Sequence, residues 1–199
     1  MKKDRAVLFD LGNVLVQIHP EAFGATLGVS ESERGQYRPG VISATQRYER
    51  GELTTDEYFA DLSGIFEGRF ARPKLEEAMR NVIGEPIIGM AELLEKTASV
   101  AEVALVSNTN EFHFEYCIRQ FSFLSHVPRR YLSYRLRSLK PDPKYYIAVT
   151  AGLGIPASKS LFVDDLAENI EGARNAGMKG HCFREINGLL PELHSFTSQ

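Results

Sequence analysis

The sequence AVLFDLGNVL, residues 6–15, decides the fold class of this 199-residue chain. It opens with a continuous apolar run, which predicts a buried strand, and Gly12-Asn13 is a turn signal that ends it. Asp10 therefore lies at the carboxyl end of the predicted strand, where open α/β folds bind their ligands. Because strand-end aspartates also close turns, residues 6–15 alone leave both a functional and a structural role open.

Four other segments predict strands around the first one. Each is short and bounded by polar or turn residues, as buried parallel strands are. The predicted strands are residues 5–11, 101–107 and 160–164, with weaker candidates at 178–183 and 131–134. Helical patterns alternate with them, at residues 86–97, 111–120, 143–152 and 167–176. This alternation predicts an α/β fold, a parallel sheet with helices on both faces.

Residues 17–85 break the alternation, because they contain no clear strand and several successive helical patterns. Thr54 and Glu57 fit a capping box at the start of one of these helices. We therefore predict an all-helical insert after the first strand, placed above the carboxyl edge of the sheet as a cap. The predicted division is a catalytic core of residues 1–16 and 86–199 and a helical cap of residues 17–85.

The composition restricts the class of partner. The hydrophobic fraction of 43% and charged fraction of 25% are typical of a soluble globular protein. A net charge of -3 gives no general electrostatic case for nucleic acid. No apolar stretch is long enough to span a membrane, and residues 6–9 are too short for the apolar part of a secretory signal. We expect a cytoplasmic protein with no nucleic acid or membrane partner, and the oligomeric state stays unknown.

Two motifs at the predicted sheet edge could bind a phosphate. Ser107-Asn108-Thr109 follows the strand 101–107, and hydroxyl and amide groups before a helix can hold phosphate oxygens. The same residues are also common helix caps. Lys140, before Pro141, is a point charge that suits a phosphoryl group and keeps a nearby carboxylate ionised. A surface lysine is the alternative.

Asp164-Asp165 is the most specific local signal. The pair follows the strand 160–164, and two adjacent carboxylates are unfavourable without a nearby cation. Mg²⁺ takes one or two carboxylates, keeps several waters and often shares a phosphate oxygen. Glu168 and Asn169 follow in the next helix, where they could brace the pair or only favour the helix start. A solvated turn is the alternative for the whole segment.

Taken together, the motifs resemble those of the haloacid dehalogenase superfamily. The match runs in order through residues 9–15, 106–109, 140–143 and 162–165, followed by Asn169, Gly172 and Ala173. Within the superfamily, residues 48–53 and 107–110 are similar to bacterial sugar-phosphate phosphatases of the α-glucose-1-phosphate phosphatase type. The resemblance implies a Rossmann-like, three-layer parallel sheet with a mobile cap.

The resemblance also implies roles for the residues that bind phosphate. Asp10 would attack phosphorus and form an aspartyl-phosphate. Ser107 and the backbone around Asn108 would hold the phosphoryl oxygens, and Lys140 would neutralise charge on the phosphoryl group and on Asp10. These roles amount to positioning and electrostatic stabilisation of a phosphoryl group.

The cofactor implied by the resemblance is Mg²⁺. Asp10, the backbone carbonyl of Gly12 and Asp165 would hold the ion, and Asp164 would act directly or through water. Asn169 would orient the acidic pair without binding the ion itself. The expected partner is therefore a small phosphorylated metabolite, with sugar phosphates as the candidate class.

Gly12 departs from the pattern of the superfamily's phosphatases. Most of them carry a second Asp two residues after the nucleophile, as a general acid/base, and such a group contributes about 10²–10⁴-fold in rate. The alternatives to a phosphatase are therefore a 2-haloacid dehalogenase, whose halide leaving group needs no proton, and a non-catalytic ligand-binding protein. Asp164-Asp165 favours the phosphatase, because the dehalogenase branch works without Mg²⁺ and lacks this pair.

Substrate specificity should come from the cap, since contacts away from the phosphoryl group decide which substrate is positioned. The candidate residues are His19, Arg47, Tyr48, Glu49 and Arg50, and a structural role is as consistent with each. Aromatic residues in amphipathic helices usually face a core, so we expect Phe23, Tyr58 and Phe66 to hold the cap together. His113 follows the second motif, and a helix-surface position is its preferred interpretation.

Overall fold

The structure is a computed structural model that describes residues 3–198. It contains seven strands: β1 (Ala6–Phe9), β2 (Val16–Ile18), β3 (Ile83–Pro86), β4 (Glu102–Ser107), β5 (Arg129–Leu132), β6 (Ser160–Asp164) and β7 (Lys179–Cys182). Five of them form a parallel sheet in the order β5-β4-β1-β6-β7, and β2 and β3 form a separate antiparallel pair. The predicted α/β fold class with a parallel core is confirmed.

Helices account for most of the remaining chain. They are α1 (Glu21–Leu27), α2 (Glu31–Glu49), α3 (Thr55–Ile65), α4 (Arg72–Arg80), α5 (Met90–Val100), α6 (Glu111–Gln120), α7 (Ser133–Leu136), α8 (Pro143–Leu153), α9 (Ala167–Asn175) and α10 (Ile186–Thr197), with two short 3₁₀ turns. Within residues 3–198, no helix is long and apolar enough to cross a membrane.

Side chains of the central strand β1 are buried on both faces of the sheet. Ala6 and Leu8 pack with residues of α8 and α9, whereas Val7 and Phe9 pack with residues of α5, α6 and α10. Successive strand residues point to opposite faces, so a strand covered on both sides reads as a continuous apolar run. This is why residues 6–9 contain no polar side chain.

Strand register brings the predicted motifs to one edge of the sheet. Phe9 is paired with Leu105 of β4 on one side and with Val163 of β6 on the other. Asp10 directly follows Phe9 at the end of β1, and Asp164 directly follows Val163 as the last residue of β6. The two carboxylates are therefore neighbours at the carboxyl edge of the central strands.

Helices α1–α4 lie between β1 and β4 in sequence and have their own apolar cluster. Tyr58 and Phe66 are buried in it, and Phe23 packs against it half-buried, as predicted. Phe112 of α6 also packs against this cluster, so the insert contacts the helix that follows β4. The division of the chain into a core and a cap domain remains a prediction.

The prediction that residues 17–85 lack strands is wrong at both ends of the insert. Val16 of β2 pairs with Pro86 of β3, and Ile18 pairs with Ile83. The pattern was hidden because β2 has only three residues and β3 contains Gly84 and a proline, both atypical of strands. The following helix α5 consequently begins at Met90, four residues later than predicted.

Candidate active site

Asp10 is held at the end of β1 by backbone contacts. Its N–H donates to the Val163 carbonyl at 2.9 Å, and its Oδ1 accepts from the Leu11 N–H at 2.7 Å. Only 7% of the residue is exposed. Burial raises the pKa of Asp10 to about 6, with the Lys140 ammonium opposing the shift and Asp164 adding to it. The carboxylate is thus oriented, poorly solvated and dependent on nearby positive charge.

Lys140 supplies that charge from a fully buried position. Its Nζ lies 3.0 Å from Asp10 Oδ1 and 2.6 Å from Asp164 Oδ2, and it donates to the Val106 carbonyl at 3.2 Å. These three acceptors match the three N–H donors of an ammonium group. Burial lowers the pKa of Lys140, but attraction to Asp10 and Asp164 outweighs it, so the pKa is raised. Lys140 is therefore a fixed cation, and the surface-lysine alternative is wrong.

The side chain of Asn108 positions Lys140. Its Nδ2 donates to the Lys140 carbonyl at 3.0 Å, and its Oδ1 accepts from the Lys140 N–H at 2.8 Å. This reciprocal pair links the end of β4 to the segment before α8. Because the Asn108 amide is engaged in this way, its backbone N–H is the group left to contact a phosphate. The predicted phosphate role of Asn108 therefore concerns its backbone.

The loop that contains Ser107 is shaped by two residues that sequence reasoning missed. The Ser133 hydroxyl donates to the Thr109 carbonyl at 2.8 Å and accepts from the Thr109 N–H at 3.0 Å. The Tyr145 hydroxyl donates to the Tyr131 carbonyl at 2.6 Å and also lies 3.2 Å from the Ser107 carbonyl oxygen. Ser107 itself is 2% exposed, and its hydroxyl makes only a long contact of 3.4 Å, to the Asn108 carbonyl. Its hydroxyl can therefore turn toward a ligand oxygen.

Asp164 and Asp165 have different surroundings. Asp164 is fully buried, and its Oδ1 accepts from the Leu166 N–H at 2.8 Å and from Asn169 Nδ2 at 3.0 Å. Asp165 is half-buried, and its Oδ2 accepts from Asn13 Nδ2 at 3.2 Å. Asp164 is thus bound on all sides by donors, and Asp165 is the more open carboxylate.

Asn13 is a further residue that sequence reasoning missed. Its backbone has φ of +54°, a left-handed conformation that Asn tolerates better than most residues. Its Oδ1 accepts from the Ile18 N–H at 3.1 Å while its amide reaches Asp165. The sequence assigns Asn13 only to the turn that ends the first strand, although a turn residue with a polar side chain at a sheet edge is also placed to orient a carboxylate.

Three carboxylates form a candidate metal centre. One oxygen each from Asp10, Asp164 and Asp165 lies within 4.8 Å of the other two. Hard oxygen donors of this kind fit Mg²⁺. Since Lys140 provides one positive charge against three carboxylates, a divalent cation would complete the charge balance. Gly12, whose backbone carbonyl is the predicted fourth ligand, lies in the turn that follows Asp10 and forms a bridge with Val16.

The candidate specificity residues are spread over different surroundings. Arg47 binds Asp61 at 2.9 Å, and Tyr48 is buried in the cluster of the insert. His19 lies beside Glu21 on the surface. Glu49 is half-buried at the end of α2, and burial, Lys140 and Asp10 all influence its pKa.

His113 lies neither at the site nor on an exposed helix surface. It is half-buried, and its Nε2–H donates to the carbonyl of Met79 at 2.9 Å, while its Nδ1 faces the Asn110 amide at 3.3 Å. Burial lowers the pKa of His113 to about 4. The residue therefore joins α6 to α4 as a neutral imidazole, and the helix-surface interpretation is wrong.

Comparison with known proteins agrees with this architecture. Residues 5–177 match the family described as haloacid dehalogenase-like hydrolase, so the chain belongs to that family and is a hydrolase. It is 26% identical over 192 residues to the D-ribitol-5-phosphate phosphatase of Bacteroides thetaiotaomicron, with 92% of each chain covered. It is 24% identical over 185 residues to the phosphorylated carbohydrates phosphatase of Thermotoga maritima, covering 87% of this chain and 82% of that protein.

A solved structure also has the same fold. It is a haloacid dehalogenase family enzyme of Bacteroides thetaiotaomicron, an Asp12Ala mutant in complex with magnesium and inorganic phosphate. The TM-score is 0.82 with 22% sequence identity, and the match covers 92% of this chain and 95% of that one. The likeness establishes the common fold of the two proteins.

Proposed function

We propose that this protein is a Mg²⁺-dependent phosphatase that hydrolyses a small phosphorylated metabolite, such as a sugar or polyol phosphate, through an aspartyl-phosphate on Asp10. The observation that carries the proposal is the buried Lys140 ammonium, which bridges Asp10 and Asp164 beside a third carboxylate, Asp165. This arrangement places a nucleophile, a cation and a metal-binding set at one sheet edge. The names of the two relatives support a phosphorylated carbohydrate or polyol as the substrate class.

In this proposal Asp10 attacks phosphorus while Lys140 and the Ser107 loop hold the phosphoryl oxygens. The contact with Lys140 keeps Asp10 ionised despite its burial, which the nucleophilic role requires. A bound Mg²⁺ would neutralise charge on the phosphoryl group, and Asp10, Asp165, Asp164 and the Gly12 carbonyl would hold it. Asn169 and Asn13 would keep the acidic pair oriented.

Phosphate release from p-nitrophenyl phosphate tests the proposal. The assay compares the protein with Mg²⁺, with EDTA and with Mg²⁺ restored, and compares wild type with Asp10→Asn and with Asp56→Asn. Asp56 is an exposed carboxylate of the insert, so its variant is the matched control. We expect activity that needs both Mg²⁺ and Asp10 and is unchanged in the control. Near-normal turnover by folded Asp10→Asn would contradict the proposal.

A 2-haloacid dehalogenase is the second candidate, because Gly12 leaves no acid at the position that most phosphatases of the superfamily use. The same protein sample should therefore be tested for halide release from 2-chloropropionate. Chelator-insensitive halide release without phosphatase activity would favour the dehalogenase. Stabilisation by phosphorylated ligands without any turnover would favour a non-catalytic binding protein.

A further inference from the structure

Glu49, the last residue of α2, carries a half-buried carboxylate without a partner. Within the part of the chain that the structure describes, no hydrogen bond or ion pair engages this group. Its neighbour Arg47 binds Asp61, and the next residue, Tyr48, has its hydroxyl 2.7 Å from Thr55 Oγ1. A partly buried carboxylate that accepts no hydrogen bond from the protein is incompletely solvated. Its oxygens are therefore available to a ligand.

The end of α2 is held against the carboxyl edge of the sheet. Gly51 has φ of +68°, and a Cβ added there would lie 2.2 Å from the carbonyl oxygen of Tyr134 in α7. The Tyr48 hydroxyl accepts from the N–H of Phe112 at 3.1 Å. Because α6 follows β4 and α7 follows β5, both contacts fix Glu49 close to the loops that carry the candidate active site.

Charged groups of both the insert and the sheet edge influence the Glu49 carboxylate. Burial raises its pKa to about 7, Arg50 of its own turn and Lys140 lower it, and Asp10 raises it. On the side of the insert, burial raises the pKa of Tyr58 in α3, and Glu49 adds to this shift. Glu49 therefore lies within electrostatic range of the Asp10–Lys140 pair, at the end of α2 that contacts α6 and α7.

The other carboxylates of the site are already engaged. Asp164 accepts hydrogen bonds from Lys140 and Asn169, and Asp165 accepts from Asn13 and belongs to the candidate metal centre. Gly12 has no side chain, and a Cβ there would lie 3.0 Å from Ile18 Cγ1. Among the predicted site residues, Asp164 and Asp165 are therefore occupied by other contacts, whereas Glu49 is not.

We propose that Glu49 is the general acid and base of the phosphatase reaction, an inference that rests on the proposed function. In the first step the Asp10 oxygen bonds to phosphorus, the bond from phosphorus to the leaving oxygen breaks, and the Glu49 carboxyl gives its proton to that oxygen. In the second step a water oxygen bonds to phosphorus and the Asp10–phosphorus bond breaks. The water proton passes to the Glu49 carboxylate, which restores the starting state.

The test compares Glu49→Gln with Glu52→Gln, a control that removes an exposed carboxylate three residues away. Both full-length variants are assayed with Mg²⁺ on D-ribitol 5-phosphate, whose alkoxide needs a proton, and on p-nitrophenyl phosphate, whose phenolate does not. For Glu49→Gln we expect kcat/KM to fall about 10²–10⁴-fold on the alkyl phosphate and to change little on the aryl phosphate. The control should match wild type on both.

A burst measurement supplies the second readout. In Glu49→Gln the first step with p-nitrophenyl phosphate remains fast and the water step is slow. We therefore expect a burst of about one p-nitrophenolate per protein, which also shows that the variant is folded. Equal losses on both substrates, no loss on either, or a rise in KM alone would overturn the role of Glu49. Asp10-independent or absent phosphatase activity in wild type would overturn the proposed function and this inference together.

Discussion

The sheet edge and the helical insert both contain ion pairs, but the pairs have opposite surroundings. At the sheet edge, the side chain of Lys140 is 0% exposed and its partners Asp10 and Asp164 are 11% and 0% exposed. In the insert, Arg47 and Asp61 are 46% and 39% exposed. Charges act strongly where water is excluded and weakly where it is not. The sheet edge therefore holds its charges in a buried ion-pair network, whereas the charges of this insert pair are exposed to solvent.

Aromatic packing is what holds the insert together. Tyr48 stacks on Tyr58 with ring centroids 4.6 Å apart, and Phe59 packs edge-on against Phe112 of α6 at 5.1 Å. Nondirectional packing of this kind tolerates small shifts better than a buried ammonium with three fixed acceptors does. The comparison therefore contrasts a buried ion-pair network at the sheet edge with an insert held by aromatic contacts.

Removal of the buried ammonium should give the largest effect. In Lys140→Met the carboxylates of Asp10 and Asp164 lose their cation, and we expect about 3–5 kcal/mol lower stability. We expect phosphatase activity to fall at least about 10²–10³-fold. Urea unfolding and phosphate release measure the two effects. Lys144→Met, on the exposed start of α8, is the control, and equal behaviour of the two variants would contradict the role given to Lys140.

Loss of the amide behind Asp164 should have a smaller effect. Asn169→Ala removes the donor to both Asp164 oxygens. We expect the Mg²⁺ affinity or the phosphatase activity to fall about 10–100-fold. A Mg²⁺ titration of phosphate release measures it. Asn175→Ala, at the exposed end of the same helix, should be unchanged. The interpretation is wrong if both variants keep the wild-type metal dependence.

The burial of the His113 imidazole should make stability depend on pH. The pKa of His113 is about 4 in the fold against its ordinary 6.5, so the unfolded chain binds the extra proton first as the pH falls. This stabilisation is complete above about pH 6.5 and decreases toward about pH 4. From about pH 7 to about pH 5 the loss should be about 2 kcal/mol.

Thermal or urea unfolding across that pH range measures the dependence on His113. His113→Gln should differ from wild type in pH dependence by this contribution, whereas His194→Gln, which changes an exposed histidine of α10, should match wild type. A slope that is the same in all three proteins would show that His113 is not the responsible group.

The smallest effect is expected for an ion pair of the insert. Asp61→Asn removes the partner of Arg47, and because both side chains are well exposed we expect at most about 0.5 kcal/mol lower stability. Urea unfolding measures it against wild type. A loss as large as that of Lys140→Met would abolish the contrast between the sheet edge and the insert.

Local pattern predicted much of the fold. The helix at residues 111–120 and the strand at 160–164 have the predicted bounds, because each has clear end signals and a buried apolar face. The strands β2 and β3 were missed, since they are short and their pairing joins residues about seventy positions apart. Such nonlocal pairing leaves little trace in a sequence window.

The candidate site was predictable in its residue types and less so in its contacts. The sequence predicts one site from Asp10, Lys140, Asp164 and Asp165, because three of these residues end strands and Lys140 precedes a helix. The structure places all four side chains together. The reciprocal bonds between Asn108 and Lys140 depend on side-chain direction, which no periodicity encodes. The roles assigned to these residues remain predictions.

The most direct test is to find the phosphoryl group on the protein. Glu49→Gln with Mg²⁺ would be mixed with p-nitrophenyl phosphate, quenched in acid within the burst phase, digested and analysed by mass spectrometry, with Asp10→Asn processed in parallel. The account predicts one phosphoryl group on the peptide that contains Asp10, and none in Asp10→Asn. A phosphoryl group on another residue, or hydrolysis with no modified peptide at any time, would contradict the account.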